Sequence, residues 1–73
     1  MEAETAPATH GIPFVKLMDE YRHAIHDARE HLVTATITES TRDYPASRAA
    51  LERADCCLRL AKAKSLILLA KLL

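Results

Sequence analysis

The stretch that decides the fold runs from Ser47 to Leu73, SRAALERADCCLRLAKAKSLILLAKLL. Within it Ser47, Leu51, Ala54, Leu58, Ala61, Ser65, Leu68 and Leu72 stand alternately four and three residues apart. That is the 3.5-residue repeat of a helix with one packed seam, whereas a strand would alternate every second residue. Upstream, Phe14, Met18, Tyr21, Ile25, Ala28, Leu32 and Ala35 follow the same rule. Two such seams, separated by the turn-forming stretch STRDYP from Ser40 to Pro45, predict an all-α fold, an antiparallel helical hairpin. Folding back at Asp43 pairs positions whose numbers sum to 86, among them Ala35 with Leu51, Leu32 with Ala54, Ala28 with Leu58 and Ile25 with Ala61. Large meets small in each layer, as interdigitated packing requires. Toward the open end Met18 meets Leu68 and Phe14 meets Leu72, large against large, so the helices are expected to splay there.

Element boundaries follow from the breakers. Residues 1–11 carry Thr, Ala, Pro and Glu without an apolar period and are expected to form a mobile tail before a single domain spanning 12–73. Pro13 and Pro45 each suit a first helical turn, where the missing N–H has no partner to lose. The expected elements are a helix over about 13–38, a connection over about 39–45 and a helix over about 46–72. The segment VTATIT, Val33 to Thr38, is β-branched and alternating. It reads as a fraying helix end; the alternative is a strand that could pair only with another molecule.

Composition limits the class of protein. With 49% apolar and 27% charged residues the 73-residue chain is one globular unit, not a disordered or fibrous one. A chain this short buries only about 60% of its unfolded surface, so regular packing, a further element or a partner is needed, and dimerisation into a four-helix bundle is one expectation. Formal net charge is zero, which removes any global field for nucleic acid or an anionic membrane. The charge is divided, however: eight acids against four bases in residues 1–45, two acids against six bases in 46–73. An acidic half folded on a basic half accounts for this. Cys56 and Cys57 are adjacent, a poor geometry for a mutual bridge, and the start MEAETAPATH lacks the regions of a signal peptide, so a cytoplasmic chain with reduced thiols is expected. The longest apolar run, Leu66 to Ala70, falls far short of the ~18 to 20 residues of a spanning helix.

No constellation points to catalysis. Four histidines invite a metal site, and Glu20-x-x-His23 matches the spacing used in di-iron bundles. Those ligands point into the bundle core, however, whereas Glu20 and His23 fall opposite the expected seam. The alternative is a solvated face of i,i+4 pairs: Lys16 with Glu20, Asp19 with His23, His23 with Asp27 and His26 with Glu30. A further alternative is that this histidine face takes part in an interaction. There is no Cys-x-x-Cys and only one glycine, so redox and phosphate-cradling motifs are missing, and neither cofactor nor metal is expected. A two-helix hairpin offers little concavity for a reaction; the expectation is that the chain is not an enzyme. Direct nucleic-acid binding is disfavoured because Arg53, Lys64 and Lys71 lie on one row and Arg59 and Lys62 on another, with Phe14 and Tyr21 assigned to the core.

The carboxyl end stands out. Along the outer face of the second helix the polar stripe Arg48, Glu52, Asp55, Arg59, Lys62 gives way to Leu66, Ala70 and Leu73. Leu68 and Leu72 are expected to close the hairpin, leaving Leu66, Ile67 and Leu73 for another surface. Phe14, Leu66, Ile67, Leu72 and Leu73, flanked by Lys64 and Lys71, are therefore the candidate partner-binding residues. In size and simplicity the chain resembles the small helical proteins by which bacteriophages bind and redirect host enzymes, RNA polymerase being a frequent target; the resemblance covers length and simplicity and no particular residue. It implies a cytoplasmic, non-enzymatic regulator or inhibitor that docks on a larger protein, the host transcription machinery being the target class. The alternatives are a self-contained homodimeric bundle and a peripheral membrane binder, since LRLAKAKSLILLAKLL, Leu58 to Leu73, combines four bases, no acid and many leucines.

Overall fold

The computed structural model describes residues 13–73; the expected tail lies outside the described residues. It consists of two helices, α1 (Phe14–Ser40) and α2 (Tyr44–Leu72), packed against each other. Bonds that join them run in opposite senses along the chain: Thr38 meets Ser47 near the connection and Glu20 meets Lys64 toward the open end. The hairpin is therefore antiparallel.

Both helices are longer than the breakers implied, and the connection shrinks to Thr41–Asp43. Its hydrogen bonds explain the tightness. The Asp43 N–H donates to the Thr38 carbonyl (2.8 Å) and the Arg42 N–H to the Glu39 carbonyl (2.9 Å), the paired bonds of a Schellman ending. Arg42 has φ 63°, the left-handed conformation such an ending needs at that position and which glycine supplies most easily. Asp43 then caps α2 by accepting the Ala46 N–H at 3.3 Å, with Pro45 in the first turn as its missing donor allows.

The β-branched segment Val33–Thr38 does not fray. Thr34, Thr36 and Thr38 each donate a hydroxyl to the carbonyl four residues back, at 3.2, 3.0 and 2.8 Å. These bonds satisfy the hydroxyls inside the helix, so the alternation seen in sequence carries no strand.

The interior differs from the expected seam. Buried residues are Leu17, Ala24, Ala28 and Ala35 on α1, and Ser47, Ala50, Ala54, Ala61 and Leu68 on α2. Tyr21, His31, Thr38, Cys57 and Lys64 complete the two rows as half-buried residues. In both helices every second position of the expected seam is retained: Tyr21, Ala28 and Ala35, then Ser47, Ala54, Ala61 and Leu68. The intervening positions are replaced by the residue one place earlier, Leu17 for Met18, Ala24 for Ile25, Ala50 for Leu51 and Cys57 for Leu58. Each helix is thus turned by roughly half the angular step between residues, about 50°, from the expected orientation. Leu32, Leu51, Leu58 and Leu72, expected inside, are exposed, and Met18 and Ile25 are half-buried at the edge.

The Thr38–Ser47 hydroxyl bond (2.8 Å) sets a register in which numbers sum to 85, one less than expected. On it Ala24 lies level with Ala61 and Ala35 with Ala50, small against small, while Leu17 lies level with Leu68 at the open end. Ser47 also donates to the Ala35 carbonyl across the interface at 3.2 Å, so the buried hydroxyl is satisfied. Small residues let two helix backbones approach closely, and at close approach a leucine no longer fits between them. Replacing Ala54 by Leu should therefore destabilise the hairpin by about 1–3 kcal/mol, measured by urea denaturation, even though it adds apolar surface.

Candidate functional site

Two apolar surfaces and one charged contact remain once the seam is placed. The first surface is the carboxyl end of α2. Leu66 and Leu69 are just over half exposed, Leu72 is 69% exposed and Leu73 is fully exposed. Antiparallel packing sets this end beside the start of α1, where Phe14 is 39% exposed. Of the candidate residues, Phe14, Leu66, Leu72 and Leu73 are accessible together with Lys71, which also sits favourably in the last helical turn near the carbonyl end of the dipole. Ile67 is half-buried against the pair. Leu69 was not singled out in sequence, yet it is as exposed as Leu66; its membership in the run Leu66–Leu69 was the available signal.

The second surface runs along one side of the hairpin. Met18, Ile25 and Leu32 form a row on α1, and Leu51, Leu58, Ser65 and Leu72 form one on α2, each with a seven-residue step. In an antiparallel pair these rows lie side by side. Near the connection they share a shallow groove lined by Leu32, Ala35, Thr36, Glu39, Ser47 and Leu51.

The charged contact lies on the other side. Lys64 donates to Glu20 Oε1 at 2.7 Å, with both side chains about a quarter to a third exposed. Glu20, expected on a solvated face, thus sits beside the seam, and Lys64 is engaged within the hairpin. The hydrogen bond from Lys64 holds the Glu20 carboxyl below its ordinary value of 4.5, desolvation opposes this, and the charges of Lys64 and Lys16 add to the lowering. A shallow depression next to this pair is lined by Glu20, His23, Ala24, Asp27, Cys57, Leu60 and Lys64.

The histidine face is loosely organised. His23 Nδ1 donates to the Asp19 backbone carbonyl at 2.9 Å, and His26 stands 3.9 Å from Glu30 in an exposed i,i+4 pair. Among the described residues no three His, Cys, Asp or Glu side chains gather as a metal site would require. Cys56 is exposed and Cys57 half-buried, both as free thiols. No described helix is long and apolar enough to cross a membrane. No protein-family model, curated protein or solved structure was found to match the chain.

The Glu20–Lys64 pair has a pH signature. Because the folded state lowers the Glu20 pKa, the pair stabilises the fold above the ordinary carboxylate value, and that contribution fades as pH falls through it and below. Melting of Glu20→Gln against wild type should show a deficit at neutral pH that shrinks toward zero in strong acid. A deficit independent of pH would assign the Glu20 effect to packing.

Proposed function

We propose that this chain is a non-enzymatic protein–protein interaction module that docks on a larger protein through the carboxyl end of α2 and modulates it. The observation that carries the reading is the exposure of Leu66, Leu69, Leu72 and Leu73 within two helical turns. Fully burying one such leucine contributes about 1.5–3 kcal/mol, so a complementary groove gains strongly by accepting this end. A helix end inserted into an apolar groove is a common mode for a chain of this size. The neighbouring Phe14 and Lys71 extend the surface with an aromatic ring and a charge. The likeness in size and simplicity to phage-encoded regulators makes a bacterial RNA polymerase the first target to try.

The same end offers no enclosed cavity for chemistry, and its side chains are apolar or simply cationic, which favours recognition over catalysis. The alanine-rich interior favours, beside this, a homodimeric four-helix bundle, which would share Leu69 and Leu72 with the docking end while leaving Leu66 and Leu73 to it.

The test is affinity capture from lysate with wild type, Leu66→Asp and Leu73→Asp, followed by circular dichroism of each. Both variants should retain the captured assembly at least about tenfold more weakly, equivalent to ~1.4 kcal/mol, with helicity unchanged. Ile67→Asp, at a half-buried position, should instead lose helicity. Undiminished capture by both exposed variants would overturn the reading.

A further inference from the structure

The long apolar side of the hairpin meets the carboxyl end only around Leu69 and Leu72 and calls for its own occupant. Leu32, Leu51 and Leu58 are 42%, 52% and 46% exposed along it, with Met18 and Ile25 half-buried between them. We propose that a second copy of this chain covers this face, with its α2 on α1 of the first copy and both connections at the same end of a four-helix bundle. This deepens the dimer reading; it overlaps the docking end at Leu69 and Leu72 and is told apart from it at Leu58 and Leu66.

The interior supplies the first argument. Among the described residues, six of the nine buried ones are alanines and two, Leu17 and Leu68, are large. An alanine brings one methyl carbon to the interior where a leucine brings four apolar carbons, and the stabilisation gained scales with the apolar area buried. Two helices joined only by such a seam fall short of what an independent small domain needs. The shortfall exists whenever the chain is folded, so whatever covers the leucine face must be present in step with the chain itself. A second copy satisfies that condition by construction.

Area supplies the second argument. Helices of 27 and 29 residues are about 40 Å long, and two side by side span about 20 Å, so the face measures on the order of 800 Å². That is about the share each partner buries in a standard stable interface. A single docked helix, about 10 Å wide, would cover only half of it.

Charge supplies the third. Both copies are formally neutral, so no long-range repulsion opposes their approach. The rows bordering the face are Val15, Arg22, Arg29 and Thr36 on α1 and Arg48, Asp55, Lys62 and Leu69 on α2. With α1 laid on α2 of the second copy and the register sum near 85 preserved, Arg29 comes level with Asp55 of that copy and Val15 with Leu69. Arg22 then approaches Lys62, an unfavourable pair at an exposed rim where single pairs count for little. The rim as a whole is basic, with Arg22, Arg29, Arg48 and Lys62 against Asp55 and Glu39, so charge alone does not separate a second copy from an anionic bilayer and the vesicle measurement below does.

The test is sedimentation equilibrium of the full chain under reducing conditions, for wild type, Leu58→Glu and Leu66→Asp. Wild type and Leu66→Asp should sediment at twice the mass of one chain, with a melting temperature that rises with concentration. Leu58→Glu should shift the dimer dissociation constant upward by at least about tenfold. A linkage experiment guards against a variant that only unfolds. Arg29→Cys and Asp55→Cys chains, each with Cys56→Ser and Cys57→Ala, are mixed and mildly oxidised; the two different chains should become joined, while Arg29→Cys alone should not join to itself. A monomer at all concentrations overturns the proposal, and vesicle binding or a stoichiometric heterocomplex lost with Leu58→Glu would then name the actual occupant. A dimer broken by Leu66→Asp and retained by Leu58→Glu overturns it too, by moving the second copy to the carboxyl end. A dimer without the Arg29–Asp55 linkage overturns the arrangement.

Discussion

Everything in this hairpin follows from the close approach of two alanine rows. Ala24, Ala28 and Ala35 on α1 are spaced by four and seven residues, and Ala50, Ala54 and Ala61 on α2 repeat that spacing. Where the helices meet through single methyl groups no volume is left between them for leucine, so Ile25, Leu32, Leu51 and Leu58 stand at the side, while Leu17 and Leu68 fill the seam only at the open end. The side that holds Met18, Ile25, Leu32, Leu51 and Leu58 becomes an apolar face; the other side holds Glu20, Asp27, Arg53 and Lys64. The division of the molecule into an apolar and a charged side is thus a consequence of interior size, not a separate feature.

The charged side answers the uneven distribution of charge along the chain. The acids of α1 and the bases of α2 meet where Glu20 accepts from Lys64, and the net charge of the pair falls toward zero without an outside ligand. Polar bonding does similar work at the connection. There the Thr38 and Ser47 hydroxyls bind each other across the seam and lock its register, while the backbone bonds of Arg42 and Asp43 turn the chain within three residues. A one-residue change in register would separate those hydroxyls and misalign the alanine rows together.

The helical hairpin was legible because a 3.5-residue period is strong in both segments and a proline–aspartate connection separates them. The orientation of each helix was not. Met18, Ile25 and Leu32 keep the same period as the true seam, and hydrophobicity favours leucine over alanine as the inward residue. Period alone cannot distinguish a row at the seam from the row beside it, because both repeat every seven residues. The matched alanine spacing on the two helices was the signal that separates them, since only small residues on both partners permit close packing. The threonine segment misled for a related reason: its alternation resembles a strand, yet a hydroxyl that can bond the carbonyl one turn back is content in a helix. At the carboxyl end, Leu66 and Leu73 were readable as outward-facing from the polar stripe they continue, while Ile67 was drawn against the pair once α2 rotated.

The sequence by itself determined that there are two helices, that they run antiparallel, and that more leucine is present than a hairpin of this length can enclose. These are properties of periodicity, proline placement and composition, which act locally or by simple count. Only the tertiary structure decided which leucines are left outside. That choice depends on how near the two backbones come, and interhelical distance is set by the residues that face each other across the seam, a condition no single helix contains.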